Sequence, residues 1–72
     1  MILLTVSYKK LWKLLIDRDM KKKDLLAAAG ISQSSLSKIR RNENVNMDIL
    51  VKVCTALNCE IGDIMEIIKS TE

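Results

Sequence analysis

A single glycine, Gly30, separates two stretches of the chain that both favour helix. The stretch before it, about residues 21–29, ends in three alanines, which have high helix propensity and permit close helix packing. Glycine readily adopts the left-handed conformation that commonly ends a helix, so Gly30 is predicted to stop the first helix. Ser32 then supplies an N-cap oxygen for a second helix over about residues 33–41.

The second of these helices is predicted to have one apolar side and one polar side. Leu36 and Ile39 lie on the side that faces the core, and Ile31 in the turn is an apolar plug between the two helices. The polar side chains left outside are Gln33, Ser34, Ser37, Lys38 and Arg41. A sharp turn, apolar anchors on both helices and a free outer face together have the form of a helix-turn-helix.

The rest of the chain predicts further helices with short connections. Apolar residues recur at helical spacing over about residues 8–18 and 47–57, and a last short helix is predicted over 61–67. Its inward residues are Ile61, Ile64, Met65 and Ile68. The predicted fold class is therefore all-α, a single five-helix domain over residues 1–72. Short β-strands at the two termini are compatible with it, because the aliphatic segment at 2–6 is typical of a strand or an extended arm.

The net charge of +3 is unevenly distributed along the chain. Residues 1–41 hold ten Lys and Arg against three acids, which gives +7, and residues 42–72 hold two Lys against six acids, which gives −4. A basic half joined to an acidic half is consistent with a surface for a polyanion. It is equally consistent with ordinary solvated charge.

Composition argues against several other classes of function. Two cysteines and no histidine make no zinc pattern within one chain, so no metal, cofactor or small-molecule ligand is expected. The lack of histidine and of paired carboxylates in a plausible cleft argues against an enzyme. The N-terminal apolar run is too short to span a bilayer and follows no basic segment, so a cytoplasmic protein without membrane contact is expected.

Two segments of the sequence, in order and correctly spaced, resemble a known family. The first is L-L-A-x-A-G-I-S-x-S-x-L-S-K-I at residues 25–39, and the second is L-x-K-V-C-x-A-L-N-C-x-I-G-D-I at residues 50–64. Together they are similar to the lambda-repressor-like, Cro-type (XRE) helix-turn-helix regulators. The resemblance covers about residues 8–68, and either segment alone would be a weaker indication, because helix-turn-helix patterns produce false matches.

This resemblance implies a transcriptional regulator, a repressor, that binds double-stranded DNA. The helix at 33–41 would be the recognition helix and lie in the major groove. The residues that would face base edges are Gln33, Ser34, Ser35 and Lys38. A glutamine carboxamide can pair in bidentate fashion with adenine and a lysine can donate to guanine, so these residue types suit base readout.

The sequence departs from the family pattern at two places. Where the family often has a phosphate-contacting glutamine, this chain has Lys22, which binds phosphate as a point charge. The family's common E-N-G after the recognition helix is R-R-N here. Arg40 and Arg41 would add cations near the DNA backbone, and Asn42 must take the turn usually given to glycine. The implied DNA-binding residues are Lys22, Gln33, Ser34, Ser35, Lys38 and Arg41.

A monomer of this size contacts only a few base pairs, so useful specificity suggests a homodimer on a two-fold DNA site. The apolar segments near both termini support a homodimer, and strands paired within or between subunits would cover them. Trp12 and Ile16 extend the apolar arc of the first helix beyond the usual core stripe, so they are expected to pack on the 2–6 arm or on a partner subunit. The same surplus of apolar surface favours an alternative function. In that alternative the chain is a protein-interaction module, such as an antitoxin or an antagonist of another regulator.

Overall fold

The computed structural model describes the backbone of residues 2–71 and the side chains of residues 3–69. Within this range four α-helices lie between two β-strands. The strands are β1 (Ile2–Ser7) and β2 (Glu66–Thr71), and the helices are α1 (Lys9–Asp17), α2 (Lys22–Ala29), α3 (Gln33–Arg40) and α4 (Met47–Leu57). A three-residue 3-10 turn, Ile61–Asp63, connects α4 to β2. The outermost residues of the predicted domain, 1 and 72, lie outside the described range.

The hydrophobic core lies among the four helices and is built mainly from aliphatic side chains. Its buried members are Val6, Tyr8, Leu11, Leu15, Leu25, Ile31, Leu36, Ile39, Leu50, Val53, Leu57 and Ile64. Each fully buried Leu or Ile contributes about 1.5–3 kcal/mol, which makes this cluster the main stabilising element of the fold. No α-helix in the described part of the chain is both long and apolar enough to cross a bilayer.

The ends of α2 and α3 follow the predicted turn chemistry. Gly30 has φ 67° and ψ 35°, and its N–H donates to the Leu26 carbonyl at 2.9 Å, which closes α2. Ser32 caps α3, since its Oγ accepts the Ser35 N–H at 3.1 Å. The predicted first and last residues of α1 to α4 each agree with the structure to within one residue.

The predicted fifth helix at 61–67 is wrong. Only one 3-10 turn forms there, and from Glu66 the chain enters β2. Ile64 is fully buried as expected, but Ile61 and Ile68 are each 40% exposed. The physical reason is that β2 is rich in β-branched residues and finds its partner, β1, at the far end of the sequence.

The strands β1 and β2 form a two-stranded antiparallel sheet, here called the ribbon. Its register pairs Ser7 with Glu66 at the end nearest the core and Ile2 with Thr71 at the far end. Because side chains alternate along a strand, one face carries Leu4 and Ile67, and the other carries Leu3 and Ile68. These four side chains are 40–68% exposed, so most of the ribbon lies outside the core.

Candidate nucleic-acid interface

The outer face of α3 is held toward solvent by two buried anchors. Leu36 is 2% exposed and Ile39 is fully buried. On the other side of the helix, Gln33, Ser34 and Lys38 are exposed. Because residues three and four apart share a helix face, Ser34 and Lys38 are neighbours on the surface that the anchors turn outward.

The turn between α2 and α3 fixes how this face is presented. Gly30 takes the left-handed conformation with φ 67°, and Ile31, 8% exposed, packs in the core directly after it. Since α3 is only eight residues long, this turn and the two anchors fix the position of its start and its middle. The arrangement is the one that the sequence pattern predicted.

Ser35 lies differently from the other predicted base-facing residues. Its backbone N–H donates to Ser32 Oγ at 3.1 Å, and its own hydroxyl accepts from that same Oγ at 3.1 Å. The side chain is half-buried. Part of its hydrogen-bonding capacity is therefore used to cap α3, although it still lies beside Lys38 on the surface.

Lys22, the predicted phosphate-binding residue, is the first residue of α2 and is exposed. Its ammonium lies 4.9 Å from the centroid of the Trp12 ring. Such a cation–π contact contributes about 0.5–1 kcal/mol at an exposed site and restrains the lysine. The Asp24 carboxylate already accepts the Lys21 N–H at 2.9 Å at the N-terminus of α2, so any attraction of this corner for an anion comes from the exposed lysines at 21–23.

Trp12 and Ile16 were expected to pack on the 2–6 arm or on a partner subunit. Trp12 is partly buried against the core and Ile16 is 72% exposed, and packing of either on a partner subunit stays a prediction.

Arg41 follows α3 directly and forms an ion pair with Glu43. Both side chains are about half exposed or more, and such surface pairs contribute about 0.2–1 kcal/mol. This pair is therefore weak enough for the guanidinium to exchange Glu43 for a phosphate. Arg40, one residue earlier, is also exposed and adds a second cation at the same end of α3.

Two asparagines that the sequence analysis did not single out lie next to α3. Asn44 and Asn46 line a cleft of about 130 Å³ together with Ser35 and Lys38 from α3. Their amides can donate to phosphate or sugar oxygens. The signal that could have found them is the recurrence of asparagine at three alternate positions, 42, 44 and 46, soon after α3.

A second, larger groove lies elsewhere on the described part of the chain. It has a volume of about 520 Å³ and lies between α1 and the segment that follows α4. Its charged lining residues are Lys10, Lys13, Asp17, Arg18 and Asp63. None of the predicted DNA-binding residues lines it, and its mixture of charges has no clear preference for a polyanion.

Comparison with known proteins agrees with this geometry. The Cro/C1-type HTH DNA-binding domain matches residues 10–70. The crystal structure of the transcriptional regulator VanUg, form II, is similar to this structure, with a TM-score of 0.89 and 52% sequence identity. The similarity covers 93% of this chain and 89% of that chain. No curated protein matches the chain. Because the family match spans most of the sequence, the chain belongs to the Cro/C1-type helix-turn-helix DNA-binding domains.

Proposed function

We propose that this protein is a sequence-specific transcriptional regulator that inserts α3 into the major groove of DNA. The observation that carries the proposal is the outer face of α3, where Gln33, Ser34 and Lys38 are exposed while two apolar anchors are buried. The similarity to VanUg, a transcriptional regulator, supports the same role.

The contacts divide into two kinds in this proposal. Gln33 pairs with adenine and Lys38 donates to guanine, while Ser34 and Ser35 contact bases or nearby phosphates at short range. Lys22 and Arg41 neutralise phosphates on either side and fix the register of the protein on the duplex. Asn44 and Asn46 add contacts to the sugar–phosphate backbone beside α3, from the cleft that they share with it.

We also propose that the protein acts as a repressor and as a homodimer, with residues 1–72 forming one domain. A protein bound over a promoter blocks polymerase without any further contact, so repression needs no additional surface. A single α3 of eight residues spans few base pairs, and two copies related by a two-fold axis would double the site. The ribbon supports dimerisation, because Leu4 and Ile67 are 68% and 60% exposed on one face.

The experiment that tests this function is selection of binding sites from a random pool of duplex DNA. We expect enrichment of a site with two-fold-related halves, centred about 34–36 Å apart along the helix axis. A pool that stays unenriched at low salt would contradict sequence-specific binding.

A salt titration separates regulation of DNA from the protein-interaction alternative. Binding to random duplex should weaken steeply as salt rises, because each phosphate contact releases a counterion. Lys22→Ala should reduce the slope of log K against log salt by about one unit and weaken all sequences alike. Lys52→Ala, which changes an exposed lysine on α4, is the matched control and should leave the slope unchanged. Negligible affinity for DNA even at low salt would favour the interaction module.

A further inference from the structure

Two long-range hydrogen bonds join the start of α1 to the segment that directly follows α3. The Tyr8 backbone N–H donates to Asn42 Oδ1 at 3.1 Å, and the Tyr8 hydroxyl donates to the Glu43 carbonyl at 3.1 Å. Tyr8 itself is 1% exposed, so its ring is fixed in the core. The backbone N–H and the hydroxyl of one residue thus hold two consecutive residues just after α3, and we call this pair of contacts the clamp.

The clamp explains why an asparagine stands at position 42. Asn42 has φ 57°, a left-handed conformation in which glycine is unstrained and asparagine is tolerated. Glycine would remove the strain but has no side chain to accept the Tyr8 N–H. Asparagine satisfies both requirements, because it adopts the turn and carries the carbonyl oxygen that α1 needs.

The clamp lies between the C-terminal end of α3 and the loop that follows it. At its N-terminus α3 is capped by Ser32, and along its length it is anchored by Leu36 and Ile39. Beyond the helix, the pair between Arg41 and Glu43 is exposed and weak. The clamp therefore supplies the long-range hydrogen bonds that hold this end of α3 to the rest of the fold. Asn44 and Asn46, which share a cleft with Lys38, come directly after it.

We propose that Tyr8 and Asn42 are positioning residues for base readout: they hold the C-terminal end of α3 and the following loop in the orientation that recognition requires. This inference rests on the proposed function of α3. Without the clamp, the cations still attract phosphates, because electrostatic binding tolerates small displacements. Bidentate contacts to base edges do not tolerate them, so the loss should fall on specificity.

The test compares affinity for a selected DNA site with affinity for a random duplex of equal length, well below the melting temperature of each variant. Tyr8→Phe removes only the hydroxyl, and Asn42→Gly keeps the left-handed turn but removes the acceptor. Each should lower affinity for the selected site by roughly three- to tenfold, the effect of one ordinary hydrogen bond. Affinity for random duplex should change less than about twofold, because phosphate contacts are retained.

Two further variants separate positioning from a merely structural role. Thr55→Val removes a hydroxyl that donates to the Val51 carbonyl at 2.8 Å on α4, and it should leave both affinities unchanged. Asn42→Asp retains an acceptor oxygen; its added negative charge should weaken both complexes equally, so the ratio of the two affinities stays at the wild-type value. If Asn42→Asp lowered the ratio of selected-site to random-duplex affinity as much as Asn42→Gly does, the side-chain oxygen at position 42 would not be what positions α3.

Failure of the clamp and failure of the proposed function give different results. A preference for the selected site that Gln33→Ala reduces, but that Tyr8→Phe and Asn42→Gly leave intact, would overturn the clamp alone. A parallel fall in both affinities in those two variants would also overturn it, since that pattern indicates lost folding. Wild-type protein that prefers no sequence would overturn the proposed function and the inference together.

Discussion

Tyr8 has a phenol whose hydroxyl donates to a carbonyl while its ring is packed in the core. Burial disfavours the charged phenolate and raises the pKa of Tyr8 above its ordinary value near 10. A raised pKa in the folded state means that the contribution of Tyr8 to stability is complete below about pH 10, the pKa of the unfolded chain. This contribution is lost as the pH rises through the folded-state pKa.

We therefore expect the melting temperature of the wild-type protein to fall more steeply above pH 10 than that of Tyr8→Phe. The variant controls for every effect of alkaline pH that does not depend on the Tyr8 hydroxyl. Because the chain has a single tyrosine, ultraviolet titration of phenolate absorbance reports Tyr8 directly. If Tyr8 were half-ionised at the same pH in native protein and in protein unfolded by urea, burial would not raise the pKa of its hydroxyl.

Gln33 is the residue for which base readout makes the sharpest prediction. It is exposed at the first position of α3, where a carboxamide can reach a base edge. Gln33→Ala should cost ~1–3 kcal/mol on the selected site and relax the preference at one base position. Binding measurements on single-base variants of the site check this. Equal losses on selected and random DNA would mean that α3 is not the reading helix.

At the scale of elements, a side chain at Gly30 would affect the turn between α2 and α3 only through the backbone conformation. A Cβ at Gly30 would have no atom within 4 Å, so Gly30→Ala meets no clash, but its φ of 67° is unfavourable for alanine. We expect destabilisation of about 1 kcal/mol, read from denaturant unfolding. Gly62→Ala is the matched control, because that site is equally open and has no left-handed φ. If both substitutions lowered the free energy of unfolding equally, the left-handed φ of Gly30 would not be the cause of the destabilisation.

The elements that could be predicted from sequence are those whose causes are local. The turn at Gly30, the cap by Ser32 and the apolar spacing of α4 depend on residues a few positions apart, and all three were predicted correctly. The fifth helix was wrong because the strand that replaces it depends on a partner at the other end of the chain. Local periodicity carries no information about such a partner.

The candidate site divides in the same way. Exposure of Gln33, Ser34 and Lys38 follows from the period of one helix and could be predicted. The contact of Lys22 with Trp12 joins two helices. The two hydrogen bonds of the clamp join residues that are 34 and 35 positions apart in the sequence. Neither the contact between Lys22 and Trp12 nor the clamp could therefore be derived from the spacing of residues along one helix.

At the scale of the whole molecule, the ribbon makes a prediction about assembly. Leu4→Gln should shift the proposed dimer toward monomer, because it places a polar side chain on the exposed apolar face that the partner would cover. Met47→Gln is the matched control, since Met47 is 61% exposed but lies on α4. Sedimentation velocity over a range of concentrations measures the effect. Monomeric wild-type protein at high micromolar concentration, or equal shifts in both variants, would contradict dimerisation through the ribbon.

The long sequence separation between β1 and β2 has a consequence for the order of folding. Their pairing closes a loop that includes all four helices, and loop-closure entropy opposes such contacts until the intervening chain is compact. A two-stranded sheet is also marginally stable by itself, so the ribbon requires the finished core beside Val6 and Ile64. The four helices can therefore assemble early, and the ribbon closes as the last step. If α3 reads DNA and the ribbon is the dimer interface, a newly made chain acquires its DNA-reading surface before it can recognise a second copy.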